Sequence, residues 1–200
     1  MKKYSINAPI LLCSALAPFM LAGCATVSYE EPKSGPTARV RFVSEESGVN
    51  IIRGYSSTNC DGEHEMMRLK NGFLLIGSSK RLGIPLWGYN ENAAKEFFIP
   101  AGVPQVFMSS TDTHTGYAVY SCGVPLQQTF EAGKDYEIIY KGSFSRCSAT
   151  VYEIKTDASG KAERILLQKR SNTLGNEFSK SCLTQFKSFN FNSYFFRIFK

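Results

Sequence analysis

What most limits the folds open to this chain is a period-two alternation of apolar and polar residues that keeps returning between glycines and prolines. Ala38 to Ser44 sets Val40 and Phe42 on one side and Arg39 and Arg41 on the other, the pattern of a strand with one face on a core and one in water. Val49 to Ser56 resumes it, with Val49, Ile51 and Arg53 opposite Asn50 and Ile52. Between them, Glu45-Glu-Ser-Gly48 reads as a charged turn, so a hairpin is the expected join. Cys147 to Lys155 and Ala162 to Gln168 repeat the alternation on either side of Asp157-Ala-Ser-Gly160, a second hairpin. Ala93 to Phe97 has room for one helical turn, and its β-type flanks argue against anything longer.

Two further stretches share one layout. Glu96 to Met108 and Gln128 to Tyr140 each run strand, Ala-Gly, strand, with Ala101-Gly102 and Ala132-Gly133 at the turns; they read as equivalent corners, with a strand over Gly116 to Val124 between them. The second, Phe130-x-Ala-Gly133-x-x-Tyr136-x-Ile138-x-Tyr140, resembles the corner of immunoglobulin-like, fibronectin-type and transthyretin-like sandwiches. There a tyrosine near the start of a strand hydrogen-bonds back across the turn, and by that resemblance Tyr136 is the corner tyrosine. The count comes to roughly seven to nine strands with almost no helix, which predicts an all-β fold: a single antiparallel β-sandwich over residues 38–170.

Residues 57–95 are the least regular part. They hold Cys60, the cluster Glu63-His64-Glu65, strand patterns at Met66 to Lys70 and Phe73 to Ile76, and then a glycine- and proline-cut run through Pro85. This predicts short strands and one long loop carrying Trp87 and Tyr89. Aromatics in a loop are candidates for recognition, and Lys80-Arg81 beside them would suit an anionic partner, although a solvated loop reads the same way.

The amino terminus points to a compartment. Lys2 and Lys3 precede an apolar run from Ala8 to Leu21, too short to span a bilayer. It ends in Leu21-Ala-Gly-Cys24, which resembles the lipobox of bacterial lipoproteins. That resemblance implies cleavage before Cys24, a diacylglycerol on its sulfur and an acylated amino terminus; the competing reading is an ordinary secretory signal cut near Gly23. Residues 1–23 are then a signal peptide and 24–37 a proline- and glycine-containing linker. Ala25 rather than aspartate follows the cysteine, which in Gram-negative lipoproteins implies a lipid-anchored, periplasm-facing position at the outer membrane.

Without the leader the chain has 21 Lys and Arg against 17 Asp and Glu, a net charge of +4. An exported chain with no Lys/Arg cluster interleaved with aromatics on its core strands is not expected to bind nucleic acid. Cys60, Cys122, Cys147 and Cys182 remain as disulfide candidates in an oxidising space. The 61, 24 and 34 residues that intervene between them are unlike the close pairs of zinc sites. Among three connectivities, the hairpin geometry favours Cys147 with Cys182, leaving Cys60 for Cys122. His64 and His114 are the two histidines; Asp112-x-His114 between two candidate strands and the Glu63-His64-Glu65 loop do not make a nucleophile-and-base pattern. There is no G-x-S-x-G, H-E-x-x-H or phosphate loop, so no catalysis and no cofactor are expected.

Residues 171–200 form a C-terminal segment, partly disordered or docked on the sandwich. From Leu183 onward it carries seven aromatics, no acid and no regular period. It reads as an edge strand, a basic-aromatic membrane-surface segment or a read-through extension, and its abundance of Phe, Asn, Lys, Ile and Tyr, residue types with A/U-rich codons, favours the last. The expectation is a membrane-anchored lipoprotein with a non-catalytic binding or structural module, its partners the membrane and an envelope protein or the cell wall. An adaptor of an envelope or secretion machine, or an inhibitor of a periplasmic or host enzyme, are the alternatives; the basic charge argues against an inhibitor of basic lysozymes.

Overall fold

The computed structural model describes residues 29–46, 48–71, 80–115, 118–142 and 146–173. Within them the chain forms nine strands: β1 (Thr37–Ser44), β2 (Val49–Tyr55), β3 (His64–Lys70), β4 (Ala94–Pro100), β5 (Pro104–Thr115), β6 (Ala118–Thr129), β7 (Asp135–Gly142), β8 (Arg146–Thr156) and β9 (Ala162–Thr173). They make two sheets, ordered β4-β1-β7-β8-β9 and β3-β2-β5-β6. This is an all-β sandwich. Every ladder is antiparallel except β1 with β7, which is parallel.

The core lies where the alternating faces meet. Val40, Phe42, Tyr136, Ile138 and Ala149 of the five-stranded sheet face Ile52, Phe107, Val124 and Leu126 of the other, all nearly fully buried. Aromatic rings run through this layer. Phe42 meets Phe107 edge-on at 5.3 Å, Phe107 lies 6.2 Å from Phe130, and Phe130 is 4.9 Å from Tyr136. Edge and tilted contacts of this kind add to the burial of large apolar area.

Both Ala-Gly turns carry the chain from one sheet to the other, β4 to β5 and β6 to β7. Gly102 and Gly133 have φ of 79° and 74°, a backbone region where a side chain is strained. The Gly102 amide donates to Phe130 O and the Gly133 amide to Thr37 O, at 2.9 and 2.8 Å. The Tyr136 hydroxyl accepts the Glu131 amide at 3.0 Å, closing the second corner.

Several sequence expectations give way. β1 and β2 are not a hairpin but sit in different sheets, because alternation specifies a strand without specifying its neighbour. Ala93 to Phe97 contains no helical turn: β4 starts at Ala94 after a turn. Of the strand expected at Gly116 to Val124, the described part from Ala118 belongs to β6, which runs on through Pro125 to Thr129, while residues 116 and 117 lie outside the described residues; β6 is a sheet edge, where a residue lacking an N–H is tolerated. Asp112 and His114 fall within β5 rather than between strands. The described end of the expected linker is docked: the Tyr29 amide donates to Met66 O, Tyr29 packs on Phe97 at 5.7 Å, and Glu31 accepts the Phe98 amide. The strand pattern at Phe73 to Ile76, Cys24 with the signal peptide, and Cys182 with the residues beyond 173 lie outside the described residues.

The disulfide pairing differs too. Cys122 of β6 bonds Cys147 of β8, with 6.1 Å between their Cα atoms, and so ties the two sheets together. Cys122 lies opposite Thr111, whereas Cys60 packs with Tyr55 and Val106. Val106 is five residues back along β5 from Thr111, roughly 16 Å at about 3.3 Å per residue, which is beyond the reach of one bridge. Cys60 is itself disulfide-bonded. Peptide mapping without reduction is expected to release a Cys122 to Cys147 pair; a Cys60 to Cys122 peptide refutes this arrangement.

Buried polar groups gather at one end of the core. Ser109 donates to Asn50 Oδ1 at 2.8 Å and Asn50 Nδ2 reaches Ser44 Oγ at 3.4 Å. Among the described residues Tyr140 OH and Thr111 Oγ1 find no partner, and burial pushes the Tyr140 phenol above its ordinary range. The same substitution is therefore expected to have opposite signs at two tyrosines. Tyr136→Phe removes a made bond and lowers stability by about 1 kcal/mol, whereas Tyr140→Phe relieves an unpaired buried hydroxyl and raises it by about 1 kcal/mol. Denaturant titrations of both variants against wild type check the pair.

Candidate functional site

The outer face of the five-stranded sheet carries an ionic cluster that register alone assembles. Arg41 of β1 lies opposite Glu96 of β4 and Glu137 of β7, so one cross-strand row reads acid, base, acid. Arg41 Nε and Nη2 donate to Glu96 Oε1 at 2.9 and 2.8 Å, and Nη1 to Glu137 Oε1 at 2.8 Å. Arg164 of β9 reaches across β8 and donates from Nε to Glu137 Oε2 and from Nη2 to Oε1. Two arginines and two glutamates balance in charge. The Arg41, Glu96 and Glu137 side chains are 0% exposed, a burial that such a row on an uncovered sheet face would not have.

The cover is the irregular segment 80–90, laid as a strap across this face and fixed by its backbone. The Glu96 amide donates to Lys80 O at 2.8 Å. Glu96 Oε2 accepts the Leu82 and Ile84 amides. Arg39 donates to Leu82 O at 3.1 Å, Arg41 to Ile84 O, and Arg164 to Leu86 O at 3.3 Å. Leu86 has φ of 60°, which costs a non-glycine residue about 1–2 kcal/mol; the turn holds because its carbonyl and neighbours are bonded to the cluster. Gly83, Pro85 and Gly88 break the strap into pieces too short for a strand or helix, so these bonds, together with buried Ile84, define its path.

Trp87 and Tyr89 are carried over the cluster. The Arg41 guanidinium lies 5.2 Å from the Trp87 ring and 5.9 Å from Tyr89, and both rings pack with Val43, Ala94 and Ile139. Tyr89 OH accepts Arg164 Nη2 at 3.1 Å. Burial first, and then the Glu137 charge, push its phenol up to about 12, against the opposing pull of Arg164. Both aromatics are half-buried rather than free. Arg81 is exposed and stacks on the Trp87 ring at 4.0 Å. Lys80 is turned aside, paired with Glu31 at 2.7 Å and lying 5.2 Å from the Phe97 ring. The four residues singled out from sequence therefore share one strap, with Arg81 exposed and Lys80, Trp87 and Tyr89 each partly covered.

The histidines do not meet. His64 lies opposite Gly54, which lies opposite Phe107; His114 is seven residues further along β5, roughly 23 Å at about 3.3 Å per residue. His64 Nδ1 bonds Gly62 O, and Glu63 and Glu65 are paired with Arg53 and Arg68. Among the described residues no group of three or more His, Cys, Asp and Glu is arranged to hold a metal. Sequence reasoning missed a groove of about 430 Å³ beside the Tyr136 corner, lined by Gln127, Gln128, Glu131, Glu153, Leu167 and Gln168. Its acids are paired with Lys134, and Gln168 Nε2 donates to Gln127 O and Gln128 Oε1. Only the adjacent glutamines in a strand signal it in sequence.

No family model, curated protein or solved structure matches this chain. Its site is therefore read from chemistry alone. That chemistry is cation, aromatic ring and carboxylate held in fixed geometry, suited to binding. The cluster's energetic weight is testable by contrast with a neighbour. Arg41→Met leaves two buried carboxylates short of a partner and is expected to lower stability by about 3–5 kcal/mol. Arg39→Met, in the partly exposed pair with Asp135, is expected to cost less than about 1 kcal/mol. Denaturant midpoints of the two variants measure the difference, and similar losses refute the assignment.

Proposed function

We propose that this chain is a lipid-anchored envelope protein whose β-sandwich is a non-catalytic binding or structural module, with the strap as its recognition surface. The observation that carries the reading is the Arg81 and Trp87 pair. An exposed guanidinium stacked on a half-buried indole is fixed from beneath by a buried ion network, so little ordering remains to be done when a partner docks. Tryptophan and arginine are the residues on which binding energy concentrates. An outward cation favours a partner with acidic groups, an envelope protein or the carboxylates of the cell wall. An adaptor in an envelope or secretion machine is the second reading, favoured by the same rigid strap. Anchoring rests on Leu21-Ala-Gly-Cys24 and the preceding apolar run. Several acyl chains at about 0.8 kcal/mol per buried methylene hold a protein on a membrane, where one chain binds only reversibly. Ala25 supports placement at the outer membrane, facing the periplasm.

Two variants test the two halves separately. Cys24→Ala is expected to leave the membrane fraction and to take up no labelled palmitate, while wild type stays with membranes and takes up the label; a wild type that takes up no label and a variant that stays with membranes overturn the anchoring. Arg81→Glu, at an exposed position, is expected to keep the fold and membrane location while losing the proteins or wall fragments crosslinked to wild type in intact cells. An unchanged crosslinking profile overturns the strap as recognition surface.

A further inference from the structure

We propose that β9 is a self-association edge, through which two copies of this chain pair antiparallel into one continuous sheet. β9 is twelve residues long and ends the five-stranded sheet. Among the described residues its backbone is laddered only to β8, leaving a row of donors and acceptors facing outward. Of the three exposed large apolar residues among the described residues, two are Leu166 and Leu167 at its centre, 58% and 41% exposed. Glu163, Lys169 and Arg170 are exposed and have no ion-pair partner among the described residues.

Register selects a second copy as the occupant. Leu167 is the bulged residue: Leu166 lies opposite Tyr152 and Gln168 opposite Val151. Opposing residues in a ladder must share a face, and the bulge determines which positions do. Glu163 and Arg170 lie opposite Lys155 and Ala149, on one face of β8. Ile165 and Gln168 share that same face, while Arg164 and Lys169 share the other. A two-fold axis between Leu166 and Leu167 therefore sets Glu163 of each copy against Arg170 of its partner, both of them twice over, with the leucines meeting at the axis. Such a contact is isologous and closes at two copies. Arg164 falls opposite Lys169, but its guanidinium is folded back onto Glu137, which takes it out of that encounter. Charges on an edge strand ordinarily deter pairing; here, with Arg164 held on Glu137, the free charges among the described residues are Glu163 before the bulge and Lys169 and Arg170 after it, an order that favours this register.

Sedimentation equilibrium of the full chain in density-matched detergent, with disulfides intact, tests the pairing. Wild type is expected to be a reversible dimer. Glu163→Arg and Arg170→Glu are each expected to weaken it about tenfold or more, since each disturbs two symmetry-related ion pairs, and the double variant is expected to restore it. A chain that stays monomeric at every concentration overturns the proposal, whether its own C-terminal residues or another protein's strand takes the edge. A dimer indifferent to all three variants overturns it equally.

Discussion

Arg41 is the constraint around which the five-stranded sheet is arranged. A guanidinium fully out of water needs its charge matched and its hydrogens bonded, or the chain would do better with an apolar residue there. Two carboxylates answer the charge, and they come from strands on either side, β4 and β7. A carbonyl takes one further hydrogen, and it comes from the strap. The cluster thus binds three separate stretches of sequence to β1, and the strap in turn makes the cluster dry. Neither arrangement is stable alone: an uncovered row of ion pairs contributes little, and a strap cut by Gly83, Pro85 and Gly88 forms no strand or helix whose own bonds would hold it in place.

The same dependence explains the position of Trp87 and Tyr89. Their rings offer the electron-rich faces that a buried cation favours, and they shield the carboxylates from solvent on the open side. Rings in this position are part of the sheet's packing as well as part of its surface. The outward face of the indole and Arg81 above it are then the exposed end of a connected stack, and movement at one end is opposed by bonds at the other.

How much of this was legible in sequence divides along a physical line. Alternation marks β1, β2 and β8 nearly to the residue and β9 from its first residue, though β9 runs on from Gln168 to Thr173, and the paired Ala-Gly turns mark the two crossings between sheets, because strand and turn chemistry are local. Which strands pair is not local. Arg41 looked like a solvent-facing residue of a half-buried strand, and nothing in residues 38–44 reports that a segment forty residues later covers it. The disulfide went astray for a related reason. Its pairing depends on which strands face each other across the core, and the hairpin of β8 and β9 by itself says nothing of β6, the strand that brings Cys122 to Cys147. Trp87 and Tyr89 were found as loop aromatics, yet their half-burial follows only from the cluster below them.

The parallel pairing of β1 with β7 bears on the order in which the molecule can be built. Arg41 and Glu137 are 96 residues apart in the chain, and β1 remains open on its β7 side until nearly the last third of the sandwich is present. By contrast, β8 with β9 and β5 with β6 are neighbours in sequence and close early. Folds dominated by such distant pairings are slow, on the scale of milliseconds to seconds, because the entropy of closing the chain is lost before the contacts repay it. A chain that emerges amino terminus first therefore spends its early life with an apolar strand, Val40 and Phe42 included, waiting for partners not yet in place. The first strand made is among the last to be secured, and the cell must keep it from other edges in the interval.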